Sequence, residues 1–250
     1  MHALAYDEIH DEIVAPQPHS HAVLTFRGGA SGEEPPIRVI QGPLTLLGIS
    51  ETDQLAIDPI NNEIYVPQGD TILVFPREAN GNVAPIRVLK GPDALRRAAA
   101  VAIDPVHNLL VVTGTPAAGG PGGVMIFDRT AQGNTKPRGM IRGPKTELGG
   151  GGRIYVYPPR GLMLVVASVG SGVTRQAGEF RGAEMANNRG FVGVWSIDDR
   201  GDVPPRWMIG GPNGILVQIR GVALDPKHKS VIISDKRLNA LLTYSFPEIF

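Results

Sequence analysis

Three arginines, Arg97, Arg153 and Arg220, each fall just ahead of a short apolar run, at the same point of a repeating unit. An Arg guanidinium is always charged, and its planar fork of donors matches a carboxylate or phosphate two bonds at a time. Three of them at one point, with Asp53 beside them, would hold a small anion or the acidic tip of a protein. Alternatively, the same arginines would close ion pairs with Glu51, Asp53 and Asp70 around a rim. A second group is His19-Ser20-His21, two imidazoles at alternate positions of a loop. His is the commonest metal ligand near neutral pH, but a zinc site needs three or four ligands. Asp53, Asp70 or His2 would have to complete that set. The third group lies in residues 168–190, which carry Arg175, Phe180, Arg181 and Met185. These types are enriched at protein contacts, and connections beyond ~15 residues are functional or disordered. The segment reads either as a partner-binding flap or as a mobile Gly-rich loop.

What positions these groups is a cassette that recurs along almost the whole chain. Its plainest mark is a Gly-Pro pair at Gly42-Pro43, Gly91-Pro92, Gly143-Pro144 and Gly211-Pro212, at intervals of 49, 52 and 68 residues. Periods of this size signal a solenoid, a propeller or an array. Each unit divides into four apolar runs of four to six residues. The first ends in Asp at Asp7, Asp58, Asp104 and Asp225, and the third ends in an aromatic at Phe26, Phe75, Phe127, Trp195 and Tyr244. The fourth reads Pro36-Ile37-Arg38-Val39-Ile40 and Pro85-Ile86-Arg87-Val88-Leu89, with weaker copies from Pro137 and Pro205. Short β-branched and aromatic runs bounded by Gly, Pro, Asn and Asp are strands. Asn80-Gly81, Gly133-Asn134 and Gly201-Asp202 supply turns between the third and fourth runs,. Four short antiparallel strands repeated radially make a β-propeller blade. The fold expected is therefore all-β, a propeller of four-stranded blades with five units visible, the last lacking its fourth strand.

The blades run approximately 2–48, 49–95, 96–148, 149–215 and 216–250, in a single domain spanning 1–250. The recurrent Asp is expected to bond its own turn, and the closing aromatics to pack between blades. The long third interval is explained by the insertion at 168–190. Unit five stops where its fourth run should begin, and no spare strand precedes Leu4. Three closures are open: a five-bladed ring with a three-stranded blade, part of a longer propeller, or an edge covered by a partner chain. An uncovered flat edge invites aggregation.

Composition narrows the functions. There are 24 Lys plus Arg against 24 Asp plus Glu, so the formal charge is zero and a nucleic-acid role has no basic excess behind it,. No Cys is present, which removes disulfides, Cys-zinc sites and thiol chemistry,. No run approaches the ~20 apolar residues of a membrane span. No signal peptide is visible in this chain, so it reads as soluble; an exported mature form stays open and the compartment is unknown. No phosphate loop, dinucleotide fingerprint or zinc-protease motif occurs, and no catalytic residue is assigned.

The apolar run ending in Asp, the second short run and the third run ending in an aromatic resemble the NHL-type repeat. The string Pro-Ile-Arg-Val-(Ile/Leu)-(Gln/Lys)-Gly-Pro is similar to bacterial NHL-like propellers. The resemblance implies a propeller that binds protein, nucleic-acid or glycan ligands on one face. Related six-bladed folds include lactonases with a Glu/Asn/Asp metal site in the channel, and no such set maps onto this chain. The expected function is a non-enzymatic binding or scaffold propeller. Its ligand is a protein or small anion at the channel mouth, held by Arg97, Arg153, Arg220, Asp53, Arg175, Phe180 and Arg181. No cofactor is expected, apart from a divalent metal at His19 and His21. The alternative is a metal-dependent propeller hydrolase, lactonase or lyase.

Overall fold

The computed structural model describes residues 4–48, 54–148, 152–168, 190–211 and 213–250. It forms a five-bladed β-propeller. Blade one holds β1 (Ala5–Asp7), β2 (Glu12–Gln17), β3 (Ala22–Arg27) and β4 (Arg38–Gln41). Blade two holds β5 (Ala56–Asp58), β6 (Glu63–Gln68), β7 (Thr71–Pro76) and β8 (Arg87–Lys90). Blade three holds β9 (Leu95–Asp104), β10 (Leu109–Pro116), β11 (Gly123–Asp128) and β12 (Gly139–Ile141). Blade four holds β13 (Ile154–Tyr157), β14 (Leu162–Ser168), β15 (Gly190–Ser196) and β16 (Trp207–Gly210). Blade five, among the described residues, holds β17 (Ile219–Asp225), β18 (Ser230–Asp235) and β19 (Ala240–Ser245). Every sheet is an antiparallel meander in sequence order, as short hairpin connections require,.

Four apolar clusters each join one blade to the next, from blades one and two to blades four and five. This explains the continuous apolar runs, because a sheet covered on both faces has no solvent side to leave polar. Four of the five closing aromatics fill these interfaces, and Phe26 of blade one, half-buried, belongs to none of the clusters. Phe75, Phe127 and Trp195 are fully buried between blades, and Tyr244 packs against the last cluster. No apolar cluster, hydrogen bond or ion pair among the described residues joins blade five to blade one. Leu4 and Tyr6 of blade one are accordingly 55% and 54% exposed, and Leu241 of blade five is 77% exposed.

Three of the four Gly-Pro marks turn out to be sockets. Gly42, Gly91 and Gly143 have φ of +125°, +151° and +133°, a region L side chains avoid,. Into each turn reaches the loop between strands three and four of the next blade. Asn82 Oδ1 accepts the N–H of Leu44 at 2.8 Å, Asn134 that of Asp93 at 2.7 Å, and Asp202 that of Lys145 at 2.7 Å. Behind each polar tip, Gly81, Gly133 and Gly201 bridge to the preceding blade's fourth strand. Gly81 N donates to Val39 O at 2.6 Å and its carbonyl accepts from Gln41 N at 3.1 Å, and the other two repeat this pair. One blade is thus latched to the next by backbone and side chain together. In blade one the corresponding loop carries Gly32 and Glu33, both exposed.

The opposite ends of blades one to three are joined by carboxylates. Glu63 accepts from Arg87 Nη2 at 2.6 Å, from Tyr65 Oη at 2.5 Å and from Arg129 Nη1 of blade three at 2.6 Å. Glu12 repeats the arrangement with Arg38 of its own blade and Arg77 of blade two. Burial alone would raise the Glu63 carboxyl; the bonds from Arg87 and Tyr65, with the charges of Arg87 and Arg129, outweigh it and hold the group below the ordinary Glu range,. A carboxylate depressed on folding stabilises fully above its unfolded pKa and loses that contribution as pH falls through the folded value. The urea midpoint should therefore fall below about pH 4, and Glu63→Gln should flatten that acid limb. An acid limb unchanged in the variant would contradict the assignment.

The recurrent Asp closes the turn after strand one. Asp7, Asp58 and Asp104 are fully buried, and each accepts backbone N–H bonds from two or three residues ahead. Their second oxygens meet His10, Asn61 and His107, so these histidines belong to turns.

Candidate anion-binding site

The groups expected to hold an anion divide when placed in space. Asp53, Arg175, Phe180 and Arg181 lie outside the described residues, as does almost all of the 168–190 insertion. Arg97 sits exposed in β9 opposite Thr115. Arg153 is buried, and its Nη1 donates to the carbonyl of Arg220 at 2.5 Å. The structure therefore brings Arg153 and Arg220 together, but Arg153 works on the main chain of blade five while the Arg220 side chain faces solvent. Asp70, the rim partner considered for these arginines, is bonded to Thr71 and pairs with Lys90.

Arg220 owes its orientation to a β-bulge. Ile219 pairs with Asp235 and Gly221 with Ser234, leaving Arg220 as the extra residue between them. A bulge re-aims one side chain without ending the strand. Asp235 fixes the surroundings. Its Oδ2 accepts from Val217 N at 2.7 Å and Gln218 N at 3.0 Å, and its Oδ1 from Arg237 N at 2.9 Å and Leu238 N at 3.1 Å. Burial pushes the Asp235 carboxyl up, and these backbone donors overcome it and leave it below the ordinary range,. One carboxylate thus ties the loop entering β17 to the loop leaving β18.

Between them opens a depression of about 300 Å³ lined by Arg220, Ser234, Asp235, Lys236, Asn239, Ala240 and Leu241. Neither Arg220 nor Lys236 forms a side-chain hydrogen bond or ion pair with a described residue. Both Asp235 oxygens are committed to backbone donors, so the two cations at the opening make no side-chain bond to the carboxylate beside them. The depression offers guanidinium and ammonium donors, the Ser234 hydroxyl and the Asn239 amide beside the apolar Leu241. That set suits a carboxylate or phosphate attached to an apolar body.

From the sequence Arg220 stands out as a site residue, whereas Asp235 and Lys236 fall in a loop of the same face with no role of their own. The string Ser234-Asp235-Lys236-Arg237 held the signal, since an Asp at a strand end followed by a turn is a ready acceptor for orphan N–H groups. His19 lies in a single 3-10 turn, Pro18–Ser20, and His21 follows it at φ +50°. His21 borders a space of about 10 Å³ between blades one and two, room for one water at most,. Among the described residues no three His, Asp or Glu side chains gather as a metal cage.

No family model matches the sequence. No curated protein matches it either. The fold has relatives among solved structures. The chain is similar to Kuenenia stuttgartiensis hydrazine synthase, with a TM-score of 0.59 and 11% identity, over 93% of this chain and 54% of that one. It is also similar to the Cps50 (Swd1) β-propeller domain of Myceliophteria thermophila, with a TM-score of 0.57 and 10% identity, over 94% of this chain and 62% of that one. The chain spans between half and two thirds of these neighbours' length. At such identities the likeness defines a β-propeller and nothing narrower. Among the described residues no helix is long and apolar enough to cross a membrane.

Proposed function

We propose that this propeller, built from NHL-like repeats, is a non-enzymatic binding module that holds an anionic group, a carboxylate first, in the depression of blade five. The observation that carries the reading is the pairing of a bulge-presented Arg220 with Lys236 around an opening whose only carboxylate is already saturated. Ser234 lines the same opening with no His beside it and no free Asp235 oxygen to take its proton, which favours binding over hydrolysis,. No arrangement of described residues favours the metal-dependent alternative. The partner of such a module is a protein or small molecule presenting a carboxylate.

Calorimetric titration with succinate and with inorganic phosphate tests this. One site per chain is expected, weakening as salt rises. Arg220→Ala should weaken it at least tenfold, because a bond to a charged group contributes about 1.5–3 kcal/mol. Absence of binding to both anions, or equal affinity in the variant, would remove the proposal.

A further inference from the structure

Among the described residues, blade five presents an edge without a ladder partner beside this depression. In each of the other blades a fourth strand covers strand three, and the first bond of that pairing repeats four times. Ile37, Ile86, Arg138 and Arg206 donate their N–H to the carbonyls of Thr25, Val74, Ile126 and Val194. β19 has the same register on its inner side, six consecutive pairs with β18 and no bulge, yet no ladder partner among the described residues on its outer side. Exposed edges are ordinarily guarded by Lys, Pro or a bulge. β19, Ala240-Leu241-Leu242-Thr243-Tyr244-Ser245, has none of these.

Its sequence also says what fits. Ala240 to Tyr244 match Ala22-Val23-Leu24-Thr25-Phe26 of β3 position by position, as Ala-apolar-Leu-Thr-aromatic. The strand covering β3 is Arg38-Val39-Ile40-Gln41, paired with Thr25, Leu24, Val23 and Ala22 in turn. An equivalent strand on β19 would set Arg opposite Thr243, Val opposite Leu242, Ile opposite the exposed Leu241 and Gln opposite Ala240. Being antiparallel, it would run from Ser245 toward Ala240, and its carboxyl end would arrive where Ala240, Leu241, Arg220 and Lys236 line the depression.

The face of blade five turned away from blade four is less apolar than the faces that join the other blades. Where blade four turns Leu162, Leu164 and Val166 toward its neighbour, β18 carries Ser230, Ile232 and Ser234 at the same places. That face is half polar, so it gains less from dry burial under a sheet.

We infer that β19 takes up an extended peptide from a partner protein by strand addition, with the peptide's C-terminal carboxylate held between Arg220 and Lys236. The inference rests on the anion-binding reading above and names the partner's chemistry: apolar residues before a free C-terminus. Backbone bonds give such complexes affinity, while side chains at alternate positions give selectivity.

The test uses the 250-residue chain and an N-terminally labelled peptide, Pro-Ile-Arg-Val-Ile-Gln, with a free carboxyl end. Anisotropy should show saturable binding, at least tenfold weaker for the C-terminal amide and for the Arg220→Ala/Lys236→Ala variant. A scrambled peptide should bind no better than the amide. Amide exchange followed by NMR should slow at Leu241 and Thr243, whose N–H groups point outward by their equivalence to Val23 and Thr25,. Protection of these amides with no effect of amidation or of the variant would overturn the carboxylate assignment and the reading beneath it, and leave strand addition standing. Succinate binding without protection of Leu241 and Thr243 by the peptide would overturn strand addition and leave the anion pocket. A doubled mass, with the same amides protected before peptide is added, would replace the peptide by a second copy and overturn the inference.

Discussion

Replacing Glu63 by Ala is expected to cost about 3 kcal/mol of stability, the low end of the range for breaking a buried ion pair. The carboxylate receives both terminal nitrogens of Arg87, the Tyr65 hydroxyl and Arg129 from the next blade. The side chains of Arg87 and Arg129 are only 16% and 13% exposed. Without Glu63 the Arg87 guanidinium remains enclosed with no counter-ion and Arg129 keeps only the Asp58 carboxylate at 3.8 Å, and water reaches both poorly. The cost is therefore mostly the penalty of stranded charge, not the value of lost bonds. Glu63→Gln keeps an acceptor for one Arg and should cost less. Urea unfolding with an unchanged slope would read the difference as a shift in midpoint. A loss below 1 kcal/mol for Glu63→Ala would mean that the two arginines find solvent, and that the contact between blades two and three does not depend on this carboxylate.

Gly91→Ala is expected to cost about 2–3 kcal/mol, from two causes that can be separated. At φ +151° a Cβ is strained wherever it points, roughly 1–3 kcal/mol for a residue in such a region,. The new Cβ would also overlap the Asn134 side chain of the next blade. Asn134 cannot withdraw without releasing the Asp93 N–H, which it accepts at 2.7 Å, and the Asp93 carboxylate, to which it donates at 2.9 Å. Asn134→Ala alone should cost about 1 kcal/mol for the exposed latch. In the double variant the overlap with Oδ1 and Cγ of Asn134 is gone and only that with its Cβ, at 2.7 Å, remains, so the two losses should sum to more than the double loses. A double-mutant cycle with a coupling of about 1 kcal/mol is the signature. Strict additivity would mean that strain at Gly91 acts alone and that the latch is incidental.

Much of the architecture was legible because the repeat states it several times. Gly42, Gly91 and Gly143 announced a period, and the structure gives the reason: each is a socket for the next blade's Asn or Asp. Asp58 and Asp104 were readable as turn anchors, since an Asp followed by a polar turn has few other uses when it recurs once per blade. Phe75, Phe127 and Trp195 were readable as interblade packing for the same reason. The three described strands of blade five match the three runs legible between Gly221 and Tyr244. Where the repeat falls silent, legibility ends. Nothing in composition or spacing reveals that Arg220 sits on a bulge, because a bulge is a property of two strands in register. The same holds for Arg153, which looks like Arg97 in sequence but is buried against a main-chain carbonyl. Lys236 and Asp235 gain their meaning only when the loops before β17 and after β18 meet, contacts made between residues 17 and 18 apart.

The central claim is that blade five carries the ligand site. Following backbone amide resonances while succinate is added tests it most directly. The account predicts shifts concentrated at Arg220, Ser234, Lys236, Asn239 and Leu241, saturating together and lost in Arg220→Ala/Lys236→Ala. Shifts centred instead on Arg97 or on His19 and His21, or a spectrum that succinate leaves unchanged, would contradict it.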